Sequence, residues 1–168
     1  MDPLVVVAAV RTWLHGFVVE LDLCPFAGGP LRAGRVRIAV SEATDLEEAV
    51  GELLLEAERL DEDDDVETSL LVLPDLFPDF EDFLDVTAAA EEVFRVSGYD
   101  GIYQIVVFHP GFRFEGSDPA DPANGTNRSP FPMWHLLRES SVERAIEGHP
   151  DVASIPARNA ELLRELAD

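Results

Sequence analysis

The sequence contains no lysine: its 12 basic residues are all arginine, they face 34 acids, and the formal net charge is −22. A surface so negative, with no basic stripe to offset it, repels phosphate backbones and anionic headgroups, which argues against nucleic acid and against a membrane surface as partners. Cysteine is almost absent as well. Cys24 stands alone, so no internal disulfide forms, and a reducing, cytoplasmic location is expected. Long apolar runs are also missing. The stretch from Pro3 to Val10 follows Asp2, lacks a basic leader and meets Arg11, so it reads as neither a signal peptide nor a membrane span. The chain has no GxxxxGK[ST] loop, GxGxxG turn, GxSxG elbow, CxxC pair or HExxH helix. The usual supports of nucleotide hydrolysis, Rossmann hydride transfer, serine-elbow hydrolysis and dithiol redox cycling are therefore lacking.

What is present is ordinary globular composition, 46% hydrophobic and 27% charged over 168 residues, which points to one domain over residues 1–168 that folds by burial alone. Val6, Val10, Trp13, Leu14, Phe17 and Leu21 recur at spacings of three and four, so a helix is predicted from Leu4 to Leu23, stopped by Pro25 and followed by a Gly28-Gly29-Pro30 loop. A strand at Arg35 to Val40 precedes a helix at Asp45 to Leu60. The acidic run Asp61 to Asp65 lacks the glycine and glutamate of a calcium loop and reads as a solvated connector. Thr68 to Leu73 and Ile102 to Phe108 are nearly continuous apolar runs, as in strands buried on both faces, and Asp79 to Ser97 between them reads as a helix. After Pro110-Gly111, the alternation from Phe112 to Glu115 suggests a hairpin partner for the preceding strand. Asp118 to Pro132 reads as a long polar loop, of a length that is often functional, and helices are expected at Met133 to Gly148 and Pro156 to Leu166.

This order predicts an α/β fold with a small, mostly parallel sheet of three to four strands, flanking helices and the last strand in a hairpin. Ligands of such sheets gather beyond the carboxyl ends of the strands, here marked by Ser41, Pro74 and His109.

Three segments carry reactive residue types. Between Asp22 and Glu42 there are three arginines and no acid, so Cys24 lies in a local positive island that favours a thiolate, with Arg32 placed to hold an anion; the alternative is a buried, inert cysteine. His109, at a predicted strand end, is either a proton carrier or a turn histidine bonded to the backbone. Asn124, Asn127, Arg128 and Ser129 then lead into the predicted helix that carries His135, Arg138 and Glu139, where helical spacing would turn these side chains toward one pocket able to grip a carboxylate or phosphate.

The strings Leu21-Asp22-Leu23-Cys24-Pro25-Phe26, Leu31 to Arg37, Leu71 to Pro74, Phe108-His109-Pro110, Thr126 to Pro130 and His135-Leu136-Leu137-Arg138-Glu139 together resemble a bacterial family of unknown function, DUF1415, over nearly the whole chain. That resemblance assigns no activity, cofactor or catalytic residue. The residues themselves suggest an enzyme that acts on a small anionic substrate, with Cys24, His109 and His135 as catalytic groups and Arg32, Asn124, Asn127, Arg128, Ser129 and Arg138 as substrate-binding groups. In a weaker variant Cys24, His109 and His135 ligate zinc. The alternative, from another class, is a non-catalytic module that binds a small anion or a protein. The residues specify neither a cofactor nor an oligomeric state.

Overall fold

The structure is a computed structural model and describes residues 1–167. Asp2 caps helix α1 (Pro3–Trp13) by accepting a hydrogen bond from the Leu4 amide, and Pro3 fits the first turn because its missing N–H has no helical partner to lose. The helix runs on, but Leu14–Val19 widens into a π-turn, with Glu20 N bonded to His15 O at 3.2 Å. The apolar stripe explains that widening. Val6, Val10, Leu14 and Val18 are spaced by four, and on a regular α-helix each such step drifts about 40° around the axis. A turn closed by i to i+5 bonds takes up the drift, and all four residues stay buried. Gly28-Gly29-Pro30, expected as loop, opens a short helix, α2 (Gly28–Arg32).

Strand β1 (Val36–Val40), helix α3 (Leu46–Glu62) and strand β2 (Thr68–Val72) make one crossover unit, and β1 and β2 pair in parallel. Helix α4 (Phe80–Val96) leads to β3 (Tyr103–Phe108), and the chain returns through a 3₁₀ turn (Pro122–Asn127) to β4 (Met133–Arg138). The sheet order is β1-β2-β4-β3. Its last strand lies antiparallel to both neighbours, so the sheet is mixed and only the β1–β2 pair is parallel. This corrects the mostly parallel expectation: crossovers fix the direction of β1, β2 and β3 but not their adjacency, and β4 fills the gap between β2 and β3. The expected hairpin strand at Phe112 to Glu115 does not form. The antiparallel partner of β3 is β4, within the stretch expected to open a helix; helix α5 (Glu139–Gly148) starts only after it. Helix α6 (Ile155–Glu165) closes the described chain.

Each strand alternates between two cores. Leu71, Leu73, Trp134 and Leu136 face α3 and α4, against Leu53, Phe83 and Phe94, whereas Leu70, Val72 and Met133 face α1 and the π-turn. On the first face Glu56 is buried but accepts from Ser69 Oγ at 2.5 Å and from Arg37 Nε at 2.7 Å, so the charge is paired. No helix among the described residues is long and apolar enough to cross a membrane.

Candidate functional site

Period two, not 3.6, decides where the candidate residues point. Because residues 133–138 form a strand, His135 and Arg138 project to opposite faces of the sheet, although helical spacing would have put them together. His135, paired with Leu70 on one side and Val106 on the other, faces α1. Arg138 faces α3, where Nη2 donates to the carbonyls of Leu60, Val66 at 3.0 Å and Asp63 at 3.3 Å, closing the carboxyl end of that helix.

On the α1 face lies a cavity of about 630 Å³. The end of α1 and the π-turn give it Trp13, Leu14 and Val18; the turn after them gives Leu23, Cys24 and Phe26; α2 gives Pro30 and Leu31. The floor is the sheet, through Val36, Thr68, Leu70, Val106, Phe108 and His135, and α5 closes one side with Val142, Ala145 and Ile146. It covers the face of the sheet toward the beginnings of β1 and β2, not the space beyond the carboxyl ends of the strands. The lining is overwhelmingly apolar.

Its central polar group is His135. Thr68 Oγ1 donates to the Leu136 carbonyl at 2.5 Å and stands 2.7 Å from His135 Nε2. A hydroxyl has one proton, so the ring must be the donor to Thr68, and the tautomer is fixed with hydrogen on Nε2. Nδ1 then carries a lone pair, has no partner among the described residues and is not sealed from the cavity. Protein surrounds the ring on all sides except that cavity, and desolvation pushes its pKa down to about 4. The ring is neutral at pH 7. The indole N–H of Trp13, by contrast, is buried and has no acceptor among the described residues.

Cys24 lines the same cavity and is exposed at its edge. Its pKa is raised, chiefly by desolvation and further by Asp22, against the lowering effect of the Phe26 and Ala27 amides. The balance works against the expected thiolate. The positive island fails for a structural reason: Arg35 bonds Asp64 O and pairs with Glu67, Arg37 pairs with Glu56, and Arg32 is exposed, its guanidinium folded back over Gly28.

The remaining candidates serve the framework. His109, 1% exposed, accepts from Gly111 N at 2.9 Å through Nδ1, reaches Phe77 O at 3.0 Å through Nε2 and packs between Phe80 and Phe83, away from His135. Asn124 is fully buried and spends its amide on Phe114 N, Ser117 Oγ and Asp118 O. Arg128 donates to Phe112 O and Pro119 O, and Ser129 to Phe131 O. Of the loop, Asn127 alone among these expected residues reaches the cavity, with its Nδ2 donating to Val107 O at 3.2 Å. Cys24, Asn127 and His135 thus share one cavity, which Arg138 also borders, while Arg32, His109, Asn124, Arg128 and Ser129 do not line it. No three His, Cys, Asp or Glu side chains among the described residues stand close enough to share a metal, so the zinc arrangement is not assembled.

Two positions without any signal in the sequence hold the Cys24 turn. Arg158 pairs with Asp22 at 2.8 Å and Asn159, 1% exposed, donates to Leu23 O at 2.7 Å, so α6 clamps the cavity edge. Thr68 did carry a signal, as a hydroxyl that opens a mostly apolar buried strand.

The molecule is thus an α/β domain with a mixed four-stranded sheet and a ligand-sized apolar cavity on one face. The chain belongs to the family described as a protein of unknown function, DUF1415, whose model matches residues 5–168. No curated protein and no solved structure matches it.

Proposed function

We propose that the protein binds a small, predominantly apolar molecule in the cavity between the π-turn, the sheet and α5, as a binding module and not as a thiolate enzyme. The observation that carries this reading is the cavity itself, about 630 Å³ with aliphatic and aromatic walls and one imidazole at its floor. At ~30 Å³ per water this is room for roughly twenty waters, in surroundings that offer them few partners. Filling it with an apolar ligand releases that water and buries carbon on both sides. Catalysis is disfavoured by the state of the two reactive groups. A histidine whose pKa is pushed down to about 4 is a weak base at neutral pH, and a thiol whose pKa is raised is a weak nucleophile. A small anion is disfavoured as well, because the guanidinium groups of Arg128 and Arg138 are committed to backbone carbonyls and Arg32 lies outside the cavity.

The test is a titration with 1-octanol, followed by calorimetry and by the fluorescence of Trp13. From about 0.6 kcal/mol for each of about nine non-hydrogen atoms, a Kd of roughly 0.1 mM is expected. Ala145→Phe, which puts a ring into the cavity from α5, should abolish the saturable signal. Absence of saturable binding to the wild type, or equal binding to both proteins, would overturn the reading.

A further inference from the structure

We infer that this cavity selects neutral ligands that donate a hydrogen bond, such as an aliphatic alcohol, over carboxylates of the same length. The inference rests on the cavity-binding reading above and adds the chemistry of the polar end. Its basis is a chain of three groups. The Leu136 carbonyl takes the only proton of Thr68, Thr68 in turn takes the Nε2 proton of His135, and His135 is left presenting an acceptor at Nδ1. Asn127, which lines the same cavity, has committed its Nδ2 to Val107 O, and its side-chain Oδ1 has no partner among the described residues. Both uncommitted ends therefore call for a donor.

Charge points the same way. Of the charged residues lining the cavity, Glu67 is paired with Arg35 at 3.1 Å and with Arg144 at 3.7 Å, and Arg138 is spent on backbone carbonyls. A carboxylate entering here would find the Arg138 guanidinium turned to the opposite face and already donating to backbone carbonyls, lone pairs facing it, and a protein of net charge −22 around it. A hydroxyl gives its proton to His135 and keeps the remainder of the molecule in apolar contact. An ether of equal size fills the same space but leaves Nδ1 desolvated and unpaired, a loss on the order of tenfold in affinity.

Three probes of matched length test this on the full chain: 1-octanol, 1-methoxyheptane and octanoate, each titrated at pH 7.5 by calorimetry. The expected result is octanol about tenfold tighter than the ether, and octanoate weaker than both. Two variants check the source of the preference. His135→Phe removes the acceptor and should bring the octanol and ether affinities within about twofold of each other. Thr68→Val keeps the imidazole but releases its tautomer, and should shrink the ratio while both ligands still bind. Since the ratio in the wild type is itself the readout, the test does not depend on either variant folding. Equal binding of octanol and ether by the wild type, or a preference for octanoate, overturns the donor rule and leaves the cavity reading intact. Failure of all three probes to bind overturns the cavity reading and this inference with it.

Discussion

Acidifying the protein should destabilise it in a window set by one ring. Burial lowers the pKa of His135 from its ordinary 6.5 to about 4, so the unfolded chain binds the proton more tightly than the folded one. Stability from this group is complete above about pH 6.5, falls as the pH drops toward 4 and is level below that. With 1.36 kcal/mol per pKa unit, the full loss is roughly 3 kcal/mol, and about 2 kcal/mol of it should appear between pH 7 and pH 5. That is on the order of 1 M in the midpoint of a urea titration. The abundant acids also titrate, so the comparison must be made against His135→Gln, which keeps a donor for Thr68 but has no proton to gain. Urea unfolding of both proteins at pH 7, 6 and 5 should show the gap between them closing or reversing by about 2 kcal/mol. Curves that stay parallel over that range would refute the claim that His135 is held neutral by its surroundings.

Other outcomes follow from single contacts. Arg138→Met strips α3 of its terminal partner and leaves the Leu60 and Val66 carbonyls unpaired, at a cost of roughly 3 kcal/mol by urea unfolding. Trp13→Phe and Trp134→Phe should differ: the first removes an indole N–H that has no partner among the described residues, the second one that donates to Thr87 at 2.8 Å, so the second should be more destabilising by at least about 1 kcal/mol in chemical unfolding. Cys24 should react slowly with an aromatic disulfide reagent at pH 7 and faster as the pH is raised past 9, and Cys24→Ser should bind 1-octanol within about threefold of the wild type; rapid reaction at pH 7 would contradict the raised thiol pKa.

The strands β1, β2 and β3 were legible in the sequence because β1 alternates and β2 and β3 are short apolar runs bounded by turn residues, and the three long helices were legible from their stripes. β4 was not. Met133, Trp134, Leu136 and Leu137 are apolar on both sides of the strand, which erases the alternation that marks a half-buried one, and the true helix that follows without a break extends the apparent helical pattern backwards. The apparent helix over residues 133–138 hides the mixed sheet, leaves Phe112 to Glu115 as a false partner for β3, and puts Arg138 beside His135. Cys24 and His135 were found as polar residues without an obvious core duty, yet their protonation states depend on desolvation and on the Thr68 relay, which arise only when distant segments meet. Arg35 and Arg37 looked like free charge because their partners Glu67 and Glu56 lie on other elements.

The most direct measurement is the change in backbone amide resonances of isotope-labelled protein as 1-octanol is added. The shifts should be confined to residues that wall the cavity, from Trp13 to Leu31, around Thr68 and Leu70, at His135, and from Ser141 to Val152. Saturable shifts on the α3 and α4 face around Phe83 and Phe94, or none anywhere, would contradict the account.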